Sequence, residues 1–412
     1  QDAISKPIWA KNAEIAQGFV PLVLVGCWNS LSKVDQTILS LLAGTSWEEL
    51  ENRILVLLKF EDSPLWTIGG RQGVISKNDS LFLIADSVSK TSLDRFFDVA
   101  KIVLGEDDPA FELPEEERLV APLRGKSHEF SQAMRESVAE TLVMLAVYGN
   151  GLFKKRLGID VEWMVANTVR ELLTPLTTRR LEENEHELPL YAEAAPGTFL
   201  CIMERDLREE KPQVLGLLRP AQTWPLYSCP RTGLLWALEG LAWSPQNFRR
   251  VVEILGQLSE VEIDDNWCNK PIESLGAILR AWMPQTAATH EMRVAMVNML
   301  LKNYPRVGWE ICLRQLRDYR RCTGGYNYKP KWRTDGRGFG EPFRTWAPIR
   351  AFVDEMETLA LKRPSYTVEM LCDLVTKLHL FTPEHQTRVW ELIESWHDKV
   401  PNNGEIATIR ET

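Results

Sequence analysis

Apolar residues recur at i, i+3 or i+4, and i+7 through most of this chain, and that period selects the amphipathic helix as the dominant element. Phe248, Val251, Leu255 and Leu258 form one stripe, and Met292, Met296 and Met299 another. Many stripes open on a capping residue just before proline or an acid, as in Thr382-Pro383-Glu384. After Pro196 they fall into pairs roughly 35–40 residues apart: 198–207, then 233–243 with 246–259, then 274–282 with 289–302, then 305–316. A helix pair cannot bury its apolar face alone, whereas stacked pairs can, so the expected body is an α-solenoid-like array. The pair 366–380 and 382–397 would cap it.

The amino-terminal region reads differently. Val34, Ile38 and Leu41–Leu42 mark one helix, Gly44-Thr45 a turn, and Ser46 with Glu49 a capping box opening a second helix through Leu50, Ile54 and Leu57–Leu58. Residues 65–68 and 73–76 around Gly69-Gly70 read as a small β-hairpin, followed by a helix over 79–84. Helix, turn, helix, hairpin is the order of a winged helix, with an ordinary helical subdomain as the rival. The second helix begins Trp47-Glu48-Glu49-Leu50-Glu51, and carboxylates facing phosphates repel, so a DNA-reading role is not expected. The expected fold class is therefore all-α: a winged-helix-like module over 1–90, a helical connector over 91–195, helical repeats over 196–320, a basic aromatic loop over 321–350 and a helical cap over 351–412. In the connector, a helix over 91–104 precedes an acidic, proline-bearing stretch at 106–117, read as a solvated linker. A long helix from Ser131 stops at Gly149, another runs through Val161, Val165, Val169 and Leu172–Leu173, and a second acidic loop spans 182–187.

Charge locates the most reactive surface. The 412 residues carry a net charge of −9, which argues against a general nucleic-acid coat. Between Arg314 and Arg350, however, ten Lys/Arg face three acids, and seven aromatics are interleaved. Five glycines and three prolines between Thr323 and Pro348 forbid a continuous helix there. Cations beside flat rings suit phosphates, bases or an acidic protein surface. The candidate partner-binding residues are Arg320, Arg321, Lys329, Lys331, Trp332, Arg333, Arg337 and Arg344. Arg320-Arg321 also suit the negative end of a helix. Lys329-Pro330-Lys331-Trp332-Arg333 is expected to be extended, with Lys331 and Arg333 on one side and Trp332 on the other. Three destinations stay open for this segment: the chain's own acidic loops at 106–117 or 182–187, an external protein, or nucleic acid.

Catalytic signatures are weak by comparison. Arg124-Gly125-Lys126-Ser127 imitates the end of a phosphate-binding loop, but Val120 stands where the first glycine belongs and no strand leads in. Cys372, His379, His385 and His397 are scattered over two helices and read as ordinary helix residues rather than a zinc set. Glu260, Glu262 and Asp264-Asp265 read as a solvated helix end rather than a nuclease centre. Trp236, Trp243, Trp267, Trp282 and Trp309 lie at helix junctions and are expected to pack the core rather than box a cofactor. No cofactor and no enzymatic activity are expected of this region. Seven cysteines with no CxxC pair suit reduced thiols in a cytoplasm. The apolar run 18–28 is about half the length needed to span a bilayer. The absence of a starting methionine reads as a fragment of something longer.

Several phrases carry a family likeness: Pro64-Leu65-Trp66-Thr67-Ile68-Gly69-Gly70, the run from Leu235 to Pro245 (LWALEGLAWSP), Val307-Gly308-Trp309-Glu310, and Lys329-Pro330-Lys331-Trp332-Arg333. With the order of winged helix and helical repeats, the chain resembles the carboxy-terminal half of large bacterial STAND-type NTPases of antiviral defence. The resemblance implies a cytoplasmic sensor or scaffold whose helical array binds a protein ligand, often viral, and relieves autoinhibition of upstream NTPase and effector domains, with oligomerisation on activation. The NTPase motif itself is missing from this sequence, so no nucleotide-binding residues carry over. A nucleic-acid-binding module using 314–350 is the alternative.

Overall fold

The computed structural model of the chain describes residues 6–221, 229–281, 286–316, 328–334, 345–399 and 403–412. It is mostly helical, with one small antiparallel sheet of three strands among the described residues. Two compact units divide it: Gln1–Ala237 together with Lys331–Arg333, and Leu238–Pro330 together with Thr334–Thr412.

In the first unit, α1 (Ala13–Val25) starts where the Asn12 side chain accepts the Glu14 and Ile15 N–H groups. Gly26 ends it at φ +84°, where any side chain would be strained, and a Cβ there would crowd the Ser137 and Lys77 side chains. The chain then enters β1 (Cys27–Asn29), α2 (Lys33–Ala43, capped by Ser32) and α3 (Trp47–Leu58, capped by Ser46 through Glu49 N–H). The expected hairpin forms as β2 (Leu65–Ile68) and β3 (Arg71–Val74), with Leu65 opposite Val74 and Ile68 opposite Arg71. β3 lies between β2 and β1, where Trp28 pairs with Gln72 and donates its indole N–H to Gln72 Oε1 at 3.1 Å. Sequence pattern passed over β1, because three residues are too few to show alternation. Leu41, grouped with Leu42 on the apolar face, is in fact exposed while Leu42 is buried.

After β3 come α4 (Lys77–Leu83), α5 (Lys90–Leu104), α6 (Gln132–Gly149), α7 (Val161–Leu173) and α8 (Leu188–Ala194). The helix from Ser131 does not stop at Gly149. It continues through a π turn, Asn150–Lys154, and ends at Gly158 with φ +68°. Asn150 Oδ1 accepts the Val161 N–H, so the irregular turn is fixed against the next helix. Asp35, fully buried on α2, accepts from Asn29 N–H, Ser131 N–H and the Ser131 hydroxyl, tying β1 to the start of α6.

The two acidic stretches are not bare solvated linkers. Residues 109–112 and 115–124 form 3₁₀ turns, and their carboxylates have partners: Glu112 with Lys126, Glu117 with Arg124, and Glu115 with Arg219. Glu182 takes Arg118 and Arg219 together, and Glu187 is buried beside Arg135. The Arg124–Ser127 stretch is a turn with Gly125 at φ +69°.

In the second unit, α9 (Pro245–Leu258) packs on α10 (Pro271–Ile278), α11 (His290–Asn303) on α12 (Pro305–Gln315), and α13 (Ala347–Leu361) on α14 (Pro383–His397). Gly308 allows α11 and α12 to touch backbone to backbone, since a Cβ there would sit 2.3 Å from Leu301 N. Trp243 and Trp309 are buried as expected, whereas Trp236 is 43% exposed; Trp282 lies outside the described residues. Gly308→Ala should push the two helices apart and cost about 1–3 kcal/mol, read from urea unfolding. A loss below about 0.5 kcal/mol, the range of a neutral surface change, would contradict this packing.

Candidate partner-binding site

Of the eight candidate residues, Arg320, Arg321, Arg337 and Arg344 lie outside the described residues. Lys329, Lys331, Trp332 and Arg333 are placed, and each makes contacts within the chain. In the second unit, Tyr328 donates its N–H to Glu239 Oε2 at 3.1 Å and accepts the Trp243 indole N–H on its carbonyl at 2.8 Å. Glu239 also accepts from Ser274 Oγ at 2.6 Å, and burial holds its carboxyl above the ordinary range. Lys329 Nζ stands 5.7 Å from the centre of the Trp243 ring.

Within the first unit, the docking of Lys331–Arg333 is centred on Glu193, a carboxylate on α8 that is only 7% exposed. Its Oε2 accepts the Lys331 N–H at 3.0 Å, and its Oε1 accepts the N–H groups of Trp332 and, at 2.7 Å, Arg333. Arg333 turns back over the end of α8, donating Nε to the Glu193 carbonyl and Nη2 to the Ala194 carbonyl at 3.2 Å. Those carbonyls are among the unpaired acceptors of a helix carboxy terminus, where a cation is favoured. Lys331 Nζ pairs with Glu140 on α6 and lies 5.2 Å from the centre of its neighbour's indole. The Trp332 ring is partly buried, and its N–H is buried without an acceptor.

This geometry departs from the expected flat strip. In an extended strand successive N–H groups point to opposite sides, so three in a row cannot reach one carboxylate. Here the backbone bends at Lys331–Trp332 and makes a concave nest of N–H groups around an anion. Lys331 reaches an acceptor on α6 and Arg333 the carbonyls at the end of α8. Among the described residues of the segment, the chain's own acids contacted are Glu193 and Glu140 in the first unit and Glu239 in the second.

A second cluster lies behind α6. Lys77 is buried at the start of α4 and donates to the Ser137 carbonyl and, at 2.9 Å, to the Ser137 hydroxyl. Burial lowers its amine to about 7, against the raising effect of Glu140 and Cys27. In the second unit, buried Glu357 on α13 accepts the Thr382 N–H at 3.1 Å and the His385 Nδ1 at 2.5 Å, which orients that imidazole at the start of α14. The sequence reading did not single out Glu193, Lys77 or Glu357. Glu193 had a signal: it is the only charge in Leu188-Pro-Leu-Tyr-Ala-Glu-Ala194, whose other residues are apolar.

No group of three or more His, Cys, Asp or Glu able to hold a metal occurs among the described residues, and none of their helices is long and apolar enough to cross a membrane. No protein-family model, curated protein or solved structure matches the chain.

Two outcomes follow from this geometry. Glu193→Ala strands three backbone donors and should lower stability by about 1–3 kcal/mol. Trypsin should then cut after Lys331 and Arg333, sites that the docked strip withholds, and unchanged cleavage there would contradict the docking. The Lys77 amine is lowered to about 7 in the folded chain and returns to the ordinary lysine value of 10.5 on unfolding. The unfolded chain therefore binds more protons between those limits, so this group makes stability rise with pH across that window. Urea unfolding at pH 7 and pH 9 should show a rise that Lys77→Met abolishes, and an equal slope in both proteins would refute the assignment.

Proposed function

We propose that the chain is a non-catalytic sensor or scaffold region of a larger cytoplasmic signalling protein of the STAND NTPase kind, in which the strip around Trp332 is a held recognition element. The observation that carries this reading is the nest on Glu193: a basic aromatic segment suited to a partner is kept on an acidic site of its own chain. The fold is consistent with the reading. Helix, strand, helix, helix and hairpin, with β3 between β1 and β2, match the order of a winged helix, and the helix pairs of the second unit suit a solenoid-like array. The antiviral setting, the protein ligand and the upstream NTPase and effector partners rest on the family resemblance.

A nucleic-acid role is the weaker reading. Lys331 and Arg333 already face carboxylate or carbonyl oxygens, and on α3 the exposed Glu48, Glu49 and Glu51 outnumber Arg53, itself paired with Glu49 at 2.5 Å. Phosphate binding through cations weakens log-linearly with salt. Anisotropy with labelled duplex DNA and single-stranded RNA should therefore show no binding at physiological salt. Tight, salt-sensitive binding that disappears in the Lys331→Ala, Arg333→Ala protein would replace the sensor reading with the nucleic-acid one.

A further inference from the structure

The walls that hold Lys331–Arg333 specify a ligand chemistry. Each wall group can only accept: the Glu193 carboxylate, the Glu193 and Ala194 carbonyls at the end of α8, and the Glu140 carboxylate on α6. The backbone acceptor takes three consecutive N–H groups and excludes a proline at any of those positions, since proline has no N–H to give. The Glu140 carboxylate takes a cation at the first position, and the helix end takes a guanidinium at the third, where a planar fork fits two carbonyls better than an ammonium. With the strip lifted away, Glu193 and Glu140 would stand without Lys331 or Arg333, leaving an acceptor-rich, acidic cleft. A buried carboxylate without donors is costly, so the cleft favours being filled.

We infer that this cleft of the first unit is a peptide-recognition site for a bent segment of the pattern cation–aromatic–arginine, and that Lys331–Arg333 is its resident, exchangeable occupant. The partner is a protein presenting such a segment on an accessible loop or terminus. This rests on the reading of the strip as a held recognition element and adds the chemistry of what displaces it. The middle position has a specific signature. The Trp332 indole N–H is buried with no acceptor, so the site uses the ring and not the indole donor. A phenylalanine peptide should bind at least as well as the tryptophan one. The resident strip competes at the high effective concentration of a tethered ligand, on the order of millimolar, and so masks the site in the intact chain.

The test uses the full chain and a fluorescent heptapeptide of the sequence Tyr-Lys-Pro-Lys-Trp-Arg-Thr. A protein with Lys331→Pro, Trp332→Gly and Arg333→Pro, which loses both side-chain anchors and two of the three N–H donors, should bind the peptide at least about tenfold more tightly than the unaltered chain, whose site is filled. Adding Glu193→Gln should remove that binding, and the Phe peptide should match or exceed the Trp peptide. Circular dichroism and urea unfolding establish that each variant is folded. Should the triple variant not fold, the unaltered chain at millimolar peptide is the second measurement, with exposure of the Arg333–Thr334 bond to trypsin as the readout of displacement. Failure of the folded triple variant to bind, binding that survives Glu193→Gln, or no exposure of Arg333 at saturating peptide each overturns the inference. In those cases, protection of Lys331 and Arg333 from trypsin in the unaltered chain would leave the held-strip reading standing, with the strip as a fixed clamp. Nucleic-acid binding would instead overturn that reading and leave the peptide result unaffected.

Discussion

A carboxylate taken out of water must find donors, and this chain meets that constraint repeatedly by giving buried acids the backbone N–H groups of a distant segment. Glu193 is the fullest case, with three consecutive N–H groups supplied from about 140 positions further along the chain. Asp35 takes Ser131 from 96 positions away and Asn29 from nearby, and Asp206 takes Gln213 and Val214 just beyond its own helix. Glu357 takes Thr382, and Glu239 takes Tyr328. Each acid sits on a helix and fixes a loop or the end of another element. Helix packing places the acids, and the acids then place the loops.

That arrangement explains why a net charge of −9 coexists with a strongly basic segment. Three of the segment's described cations face acceptors within the chain: Arg314 has Glu273 and Glu310, Lys331 has Glu140, and Arg333 has the end of α8. α6 is common to several of these ties. It presents Glu140 to Lys331 and Ser137 to Lys77, and its Thr141 hydroxyl donates to the Leu24 carbonyl of α1 at 2.8 Å. A change in the charge of Lys77 is thus felt one helical turn from the acid that holds Lys331. The Lys77 amine, lowered to about 7 by burial, lies within reach of ordinary changes in pH.

Most of the helices were legible in the sequence, because a 3.6-residue stripe with a capping residue is a local signal and needs no partner to be read. Ser46 and Thr382 cap where the pattern placed them, and Ser131 caps the helix read as starting there. The hairpin was legible through Gly69-Gly70. β1 was not, since Cys27–Asn29 is a strand only by virtue of its pairing with β3. Gly149 misled, because a glycine in a helix is a stop only if the next turn lacks support, and Asn150 supplies it from the side. The strip stood out in the sequence by its charge and rings, but its bend did not: Pro330 argues for extension, and only the carboxylate on α8 curls the next three residues. Glu193 was readable as a lone charge in an apolar helix, whereas its partner, some 140 positions away, was not.

The central claim is that Lys331, Trp332 and Arg333 are held by their backbone on Glu193, and amide hydrogen exchange of those three residues tests it most directly. The account predicts that all three amides exchange far more slowly than the same residues in a free peptide, and that Glu193→Ala releases them together while the α6 amides stay protected. Exchange of the three amides at free-peptide rates in the unaltered chain would contradict it.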